Sequence, residues 1–229
     1  MQIVQCRNIT KTYRQGKVDV TALHGISLDV AEGGFVALAG PSGSGKTTLL
    51  NLIGGLDRPD AGRIVIGDKD YAELSDSQMA DLRLHRIGFV FQAYNLIPVL
   101  SAVENVEYVM LLQGVPKAER RSRARRVLDD VGLAEKYDRR PAELSGGQQQ
   151  RVAVARAIVA DPSIVLADEP TANLDSRTGE GLLKLMQEMN SRRKVTFIFS
   201  THDEMVMAHA HRVVTIRDGR IADDRTKAP

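Results

Sequence analysis

The segment GPSGSGKT, at residues 40–47, has the residue types and the spacing of a phosphate-binding loop. Its glycines let successive backbone N–H groups point at phosphate oxygens, and the helix predicted after it adds the positive end of its dipole. We expect Lys46 to reach the terminal phosphates of a nucleotide and the Thr47 hydroxyl to bind Mg²⁺. The apolar strand predicted before the loop favours this interpretation over a structural glycine turn. The loop residues predicted to contact the nucleotide are Gly40, Pro41, Ser42, Gly43, Ser44, Gly45, Lys46, Thr47 and Thr48.

Carboxylates follow a second apolar segment, IVLAD. Asp168 ends that segment and can bind Mg²⁺ through its water shell, while Glu169 is placed to polarise a water that attacks the γ-phosphate. His202 comes just after a third apolar segment, VTFIFST. Because active sites of open α/β sheets lie at the carboxyl ends of strands, we expect His202 to face the same crevice. A metal-ligand interpretation of THD lacks a second His, Cys or Asp cluster to complete it.

A second candidate anion site is the segment LSGGQ, at residues 144–148. A serine and two glycines open a predicted long helix, an arrangement that holds an anion at a helix N-terminus. One triphosphate fits in one such cradle, so the second must serve a different nucleotide or a different chain. Two copies facing each other head to tail would meet both needs, because a two-fold arrangement makes two equivalent shared sites.

The pattern of strands and helices predicts an α/β fold with a mostly parallel sheet. Strands are expected in MQIVQCRNI, ISLDVAEGGFVALAG, GRIVIGDKD, PSIVLADEP, VTFIFSTHD and HRVVTIRDGRI, the last being the final strand. Helices are expected in KTTLLNLIGGL and TGEGLLKLMQEMNSRR, and residues 75–160 have a helical composition. The helical middle is therefore interpreted as an insertion into an α/β body.

The amino-acid composition disfavours several classes of protein. The 229 residues carry a formal net charge of +2, one cysteine (Cys6), 4% aromatic residues and no tryptophan. These values disfavour a disulfide scaffold and a base-stacking nucleic-acid surface, so no nucleic acid is expected as a partner. We see no signal-peptide pattern and no run of about 20 apolar residues, and we expect a cytosolic protein. The basic run at residues 119–126 could contact nucleic acid or anionic lipid, but the acidic residues directly after it favour a solvated helix face.

Taken together, these motifs resemble the nucleotide-binding subunit of an ABC transporter. The resemblance covers nearly the whole chain and includes GPSGSGKT, Gln92 in GFVFQ, the signature LSGGQ, IVLADEP, NLD at residues 173–175 and His202, in family order. It implies a P-loop NTPase core of the ABC type with an N-terminal antiparallel β part. It also implies a single domain over residues 1–229, with the core at 1–92 and about 160–229 and a helical signature subdomain at about 93–159.

The resemblance also implies roles for individual residues. Glu169 would be the catalytic base, His202 the γ-phosphate sensor and Tyr13 the residue that stacks on adenine. Gln92 would touch Mg²⁺ and the attacking water, so the implied metal-binding residues are Thr47, Gln92 and Asp168. The residues implied to contact nucleotide outside the phosphate loop are Tyr13, Ser145, Gly147, Gln148 and Asp175, the last lying in the loop that crosses the dimer axis. The implied cofactors are ATP and Mg²⁺.

Within that family, RIGFVFQAYNLIPVLSAVENV and LADEPTANLDSRTGE are most similar to the lipoprotein-release and macrolide-export group, from which Ala172 departs where glycine is frequent. The implied partners are a second copy in the ATP-bound state and an integral membrane permease bound through residues 92–106. Apolar residues in that stretch would line a groove for a permease helix, or else form core contacts. They include Leu96, Ile97, Val99 and Leu100. The implied location is the cytoplasmic face of a bacterial inner membrane.

Other interpretations remain open at this point. The chain could serve an importer, or a permease-like complex that controls cell-wall hydrolysis, because the ATP chemistry is shared. A soluble ABC ATPase would carry coiled-coil inserts or two cassettes in one chain, and we find neither. An adaptor that binds ATP without turnover is disfavoured by Glu169 and His202. The sequence does not predict the transported molecule, because ABC cassettes do not touch it.

Overall fold

The computed structural model describes residues 1–16 and 18–227 and contains two β-sheets with helices packed against them. The strands are β1 Gln2–Gln15, β2 Val18–Ala31, β3 Phe35–Ala39, β4 Ala61–Ile66, β5 Lys69–Asp70, β6 Ile87–Val90, β7 Ile164–Asp168, β8 Thr196–Thr201, β9 Arg212–Arg217 and β10 Arg220–Thr226. The helices are α1 Lys46–Ile53, α2 Asp76–Arg86, α3 Ala102–Leu112, α4 Lys117–Asp130, α5 Gly146–Ile158, α6 Ser176–Arg193 and α7 Glu204–His209.

The larger sheet has the strand order β10-β9-β3-β8-β7-β6 and is parallel except for its edge strand β10. Its central strands are short and fully buried, as expected for strands covered on both faces. Alternate residues enter two different apolar clusters: Phe197 and Phe199 face the helices α3 to α6, and Ile198 faces α1. The predicted α/β class with a mostly parallel sheet is confirmed.

The smaller sheet is antiparallel, with the order β2-β1-β4-β5, and it matches the N-terminal β part that the family resemblance implies. Its inner side chains, including Val4, Leu28 and Ile64, share one buried cluster with α1 and with the larger sheet. Helix α1 is therefore enclosed between the two sheets. This packing holds the helix that follows the phosphate loop in a fixed place.

Two parts of the sequence-based assignment were wrong. Residues 87–90 form strand β6 inside the stretch interpreted as helical, because four residues are too few to display a period of two. The segment HRVVTIRDGRI is a hairpin of two strands rather than one strand, with Asp218 and Gly219 at φ of 47° and 67° in the turn. Helices α3, α4 and α5 lie within residues 93–159, and the placing of a domain boundary there stays a prediction.

Candidate functional site

The carboxyl ends of β3, β8 and β7 meet at one edge of the larger sheet. In the strand register, Ala39 pairs with Thr201, and Asp168 pairs with Ser200. The chain leaves these strands into the phosphate loop, into His202 and into Glu169, so three of the predicted motifs converge on one crevice. Crevices at the carboxyl ends of parallel strands are where open α/β sheets bind ligands.

The phosphate loop needs glycine at two positions, where the backbone has a positive φ and a carbonyl oxygen of another segment lies close. Gly40 has a φ of 146°, and a Cβ there would lie 2.2 Å from the carbonyl oxygen of Ile216. Gly45 has a φ of 104°, and its Cβ would lie 2.7 Å from the carbonyl oxygen of Ala22. At Gly43, by contrast, an added Cβ would find no atom within 4 Å, so this side of the loop is open. The loop is pressed against the protein at both ends and accessible in the middle.

Helix α1 begins directly after this loop without a side-chain cap. Its N-cap residue is Gly45, which offers no side chain to the first-turn N–H groups. The buried Ser44 Oγ has no hydrogen-bond partner among the described residues. Lys46 is buried and its Nζ donates to the carbonyl oxygens of Gly40 (2.8 Å) and Pro41 (2.9 Å). Uncapped N–H groups, an unsatisfied hydroxyl and a buried ammonium together fit an anionic ligand such as phosphate.

Thr47 and Asp168 join the phosphate loop to the end of β7. The Thr47 hydroxyl donates to Asp168 Oδ1 at 3.0 Å, although the two residues are far apart in sequence. A hydroxyl and a carboxylate at this distance are oxygen ligands of the kind Mg²⁺ takes together with phosphate and water. The described residues contain no group of three or more His, Cys, Asp or Glu side chains that could hold a metal ion.

Glu169 is held in an unusual conformation. Its φ is 45°, in the left-handed region that residues other than glycine rarely adopt. Its N–H donates to the Ser200 carbonyl at 2.9 Å, its Oε1 lies 2.7 Å from His202 Nδ1, and its Oε2 accepts from Thr201 Oγ1 at 3.3 Å. Strained residues held by several neighbours are frequent at active sites. The arrangement presents an oriented carboxylate beside the Thr47–Asp168 pair at the same sheet edge.

The signature segment begins helix α5 with a complete cap. The Ser145 hydroxyl accepts from the Gln148 N–H at 3.3 Å, and the Gln148 side chain accepts from the Ser145 N–H at 3.0 Å. A Cβ on Gly146 would lie 2.8 Å from the Tyr94 hydroxyl, and one on Gly147 would lie 2.4 Å from Thr178 Cγ2. Both glycines thus also permit close packing, which the sequence-based interpretation did not include. In the ranges 1–16 and 18–227, no hydrogen bond joins this segment to the phosphate loop.

Three other predicted residues have different surroundings. The Tyr13 hydroxyl donates to Asp57, and partial burial followed by that bond raises the pKa of Tyr13. Asp175 caps helix α6, where the Thr178 hydroxyl and N–H lower the pKa of its carboxyl. Gln92 is exposed and its carbonyl accepts from Asn173 Nδ2 at 2.9 Å, while its side chain makes no hydrogen bond within the described part of the chain. Within residues 1–16 and 18–227, no hydrogen bond joins the Gln92 side chain to the Thr47–Asp168 pair, and its role at the metal stays a prediction.

The structure adds residues that the sequence reasoning missed. Thr171 Oγ1 donates to Asp203 Oδ2 at 2.9 Å, which ties the segment after Glu169 to the one after His202. Asn105, fully buried in α3, accepts from the Ile97 N–H and donates to the carbonyl oxygens of Ile97, Leu100 and Ser101. A lone asparagine among the apolar positions of a helix was the signal available for it.

The stretch from Gln92 onward borders two surface grooves. The first, which we call the α2–α3 groove, has a volume of about 580 Å³ and is lined mainly by apolar side chains, including Leu56, Phe91 and Leu112. The second, the α3–α4 groove, has a volume of about 820 Å³ and includes Leu100 and Leu111.

The four apolar residues predicted to line a permease groove have different surroundings. Val99 is 71% exposed, whereas Leu96 packs against the helical side of the core. Leu100 lines the α3–α4 groove, and the backbone of Ile97 is held by Asn105. Leu96 therefore forms a core contact, which was the alternative to lining a groove.

The basic run at residues 119–126 lies on α4, and most of its guanidinium groups have partners. Arg120 and Arg121 contact Glu107 at 3.4 and 3.2 Å, and Arg123 contacts Asp161 at 2.8 Å. Arg125 lies over the ring of Tyr137. These contacts support the interpretation of a structural, solvated helix face.

Comparison with known proteins adds independent findings. Residues 23–172 match the family described as ABC transporter. The chain is 46% identical over 222 residues to the lipoprotein-releasing system ATP-binding protein LolD of Chromohalobacter salexigens, covering 97% of this chain and 94% of that protein. It is 50% identical over 223 residues to the macrolide export ATP-binding/permease protein MacB of Syntrophobacter fumaroxidans, covering 96% of this chain but 31% of that protein. The predicted similarity to the lipoprotein-release and macrolide-export group is confirmed.

Among solved structures, the dimeric ATP-binding cassette MJ0796, in a post-hydrolysis state bound to ADP and Pi, superposes with a TM-score of 0.91. The sequences are 41% identical, and the match covers 99% of each chain. No helix in the described ranges is long and apolar enough to cross a membrane.

Proposed function

We propose, on the premise that this chain belongs to the ABC transporter family as an ATP-hydrolysing cassette, that two copies close around two ATP molecules and thereby drive a membrane permease. The observation that carries the proposal is the convergence of the phosphate loop, the Thr47–Asp168 pair and the Glu169–His202 pair at one sheet edge. An intact set of binding and acid–base groups favours turnover over an adaptor role.

Mg²⁺ is proposed to accompany the nucleotide, held by the Thr47 hydroxyl and the Asp168 carboxylate with phosphate and water completing its ligands. The 3.0 Å contact between these side chains supports this assignment, since one oxygen from each is already directed to a common place. When bound, the ion neutralises negative charge on the phosphate oxygens. Gln92 is exposed, so we propose that it touches Mg²⁺ and the attacking water only when nucleotide is bound.

Glu169 is proposed to accept the proton of the attacking water. Its carboxylate is fixed by Thr201 and His202, so that little reorganisation is needed before a proton moves to it. Lys46 would exchange the loop carbonyl oxygens of Gly40 and Pro41 for the terminal phosphates, and His202 would contact the γ-phosphate. Tyr13 would stack on adenine.

The signature segment is proposed to act on the nucleotide of the other copy. Ser145, Gly147 and Gln148 lie on a helix start that has no hydrogen bond to the phosphate loop within residues 1–16 and 18–227 of its own chain. The dimeric form of the cassette MJ0796 supports such sharing. Asp175, at the start of α6 beside Gly147, would then lie near the dimer axis.

The permease is proposed to dock at residues 92–106 and in the α2–α3 groove beside them. Leu56 and Leu112 are 49% and 57% exposed there, although large apolar side chains are usually covered. An amphipathic helix of the permease would cover them, with its apolar face in the groove. The cassette would then lie on the cytoplasmic face of the membrane. Similarity to LolD and MacB favours outward movement of lipoprotein or drug-like cargo over import.

Two neighbouring leucines of α3 test this docking site. Leu112 lines the α2–α3 groove and Leu111 lines the α3–α4 groove, with similar exposure. We expect Leu112→Glu to abolish co-purification with the membrane permease, while Leu111→Glu retains it and both isolated variants still hydrolyse ATP. Retained co-purification of Leu112→Glu would refute the groove as the docking site. Loss with both variants would extend the site across α3.

A further inference from the structure

We propose that Asp57 is a positioning residue that holds the Tyr13 ring in place for the base of the nucleotide. The inference rests on the proposed role of Tyr13 at the adenine and names what fixes that ring. Asp57 lies in the loop that follows α1, a segment to which no part of the proposed mechanism assigns a function.

The Tyr13 ring is constrained on one face and at its far end. Lys11 and Tyr13 are two residues apart on β1, and an irregularity in the pairing with β2 lies between Lys11 and Thr12. Lys11 Nζ lies 5.2 Å from the centroid of the Tyr13 ring, and the Tyr13 hydroxyl donates to Asp57 Oδ2 at 2.9 Å. With an ammonium on one face and its hydroxyl fixed, the ring offers its other face to a planar ligand.

Asp57 is itself held by more than the tyrosine. Its Oδ1 accepts from Lys11 Nζ at 2.8 Å and from the Arg58 N–H at 2.7 Å. Partial burial alone would raise the pKa of Asp57, but the bonds from Lys11, Arg58 and Tyr13 lower it. The carboxylate is therefore ionised at neutral pH and contacts the cation and the ring hydroxyl at the same time.

Further contacts fasten this loop to β1. Lys11 Nζ also donates to the Arg58 carbonyl at 2.7 Å, and the Thr12 N–H donates to Asp60 Oδ2 at 2.7 Å. The Asp60 N–H donates to the Thr10 carbonyl at 2.9 Å. Because both side-chain and backbone groups take part, the loop cannot move away from the ring without breaking several bonds.

The loop that contains Asp57 is connected to the phosphate loop through helix α1. Helix α1 starts at the phosphate loop and ends a few residues before Asp57, and it is enclosed between the two sheets. One rigid segment therefore connects the groups for the phosphates with the groups that orient the ring. A ring fixed in advance loses less freedom on stacking, which strengthens binding of the base without any new contact.

The experiment compares three variants with two ligands. Tyr13→Phe removes only the hydroxyl, Asp57→Asn removes the charge that holds Lys11, and Tyr13→Leu removes the ring. Affinities for ATP and for inorganic triphosphate, which has no base, are measured by calorimetry. We expect Tyr13→Phe and Asp57→Asn each to weaken ATP binding about threefold, and the double variant to be no weaker than either one. Tyr13→Leu should weaken it about tenfold, and triphosphate affinity should be unchanged throughout.

The outcomes separate this inference from the proposed function. If Tyr13→Leu binds ATP as tightly as the wild type, the proposal that Tyr13 stacks on adenine is refuted. Weak binding by Tyr13→Leu together with normal binding by Tyr13→Phe and Asp57→Asn would refute Asp57 as a positioning residue while leaving the stacking role intact. An equal loss of ATP and triphosphate affinity in Asp57→Asn would make Asp57 a support of α1 and also refute the inference. In ATP hydrolysis, a positioning role predicts that Tyr13→Phe and Asp57→Asn change KM for ATP and leave kcat unchanged.

Discussion

Helices α1 and α5 both begin beside glycines in a predicted phosphate-binding motif, yet their N-termini differ. At α1 the N-cap is Gly45, which leaves the first-turn N–H groups without a side-chain partner. At α5, Ser145 and Gln148 satisfy each other in a complete capping box. The same type of box caps α2 and α3. Within this chain, α5 therefore starts like a structural helix and α1 starts like a binding site.

The difference shows what each motif can contribute. An anion at α1 gains N–H groups, a buried lysine and the Ser44 hydroxyl, which has no hydrogen-bond partner among residues 1–16 and 18–227. This helix can therefore hold a nucleotide by itself. An anion approaching α5 meets a cap that is already satisfied, and it gains the positive dipole end and one hydroxyl. Helix α5 is thus suited to close over a nucleotide bound elsewhere, and four predictions test this division.

The largest effect is expected from a bulky residue at the capped helix. Ser145→Arg should abolish ATP hydrolysis while the isolated subunit keeps its ATP affinity, because α5 serves the nucleotide of the other copy. Mixing Ser145→Arg with Lys46→Ala should restore part of the activity, since each mixed dimer has one site with both halves intact. Activity is followed by phosphate release, and mixed dimers are verified with two affinity tags. Verified mixed dimers without any recovery would contradict the shared site.

A smaller loss is expected from the group that performs the chemistry beside α1. Glu169→Gln keeps the shape of the side chain but cannot accept a proton, so hydrolysis should fall at least about a hundredfold. ATP should still bind, and the variant should accumulate as an ATP-bound dimer in gel filtration. Glu188→Gln, on the exposed face of α6, is the matched control. Near-normal turnover of Glu169→Gln would remove it from the role of base.

The cap itself can be separated from the binding role of α5. Ser75 and Gln78 form the same Ser/Gln box on α2. We expect Ser75→Ala and Ser145→Ala each to lower the free energy of unfolding by about 1 kcal/mol in urea titrations. Only Ser145→Ala should also lower hydrolysis, by about tenfold, since its hydroxyl contacts phosphate in addition. Equal turnover of the two variants would reduce Ser145 to a structural cap.

The smallest effect concerns pH. The box on α3 uses Glu104, whose pKa is lowered by the backbone N–H and then the hydroxyl of Ser101, whereas the box on α5 uses Gln148, which does not titrate. A carboxylate with a lowered folded pKa stabilises above its unfolded pKa, and this contribution disappears as pH falls through the folded value. In urea titrations, the free energy of unfolding of the wild type should exceed that of Glu104→Gln by about 0.3 kcal/mol at pH 7. This difference should shrink as the pH is lowered from 7 towards 3. A difference that stays constant over this range would contradict the assignment.

The two helix starts also show what sequence reasoning could reach. The phosphate loop, Asp168, Glu169 and His202 were predictable because each motif is contiguous or ends an apolar segment, and parallel strands bring such ends together. The capping of Ser145 by Gln148 was equally local, at the spacing of a capping box, but a serine followed by two glycines also fits an anion site. The packing of Gly147 on Thr178 was beyond reach, since it depends on how α5 and α6 approach each other.

Contacts between distant residues account for the other omissions. The bonds Tyr13–Asp57 and Thr171–Asp203 join residues that are 44 and 32 positions apart in the sequence. The four-residue strand β6 depends on its neighbour β7 for pairing, and so it carries little signal of its own. In each case the partner that gives the residue its meaning is set by tertiary packing rather than by local pattern.

Asn105 has a mechanical consequence for this molecule. Its carboxamide oxygen accepts from the Ile97 N–H, and its two amide hydrogens are shared among the carbonyl oxygens of Ile97, Leu100 and Ser101. These hydrogen bonds fasten residues 97–101 to helix α3 at several points. A displacement imposed at the exposed tip near Val99 would therefore reach α3 through these hydrogen bonds.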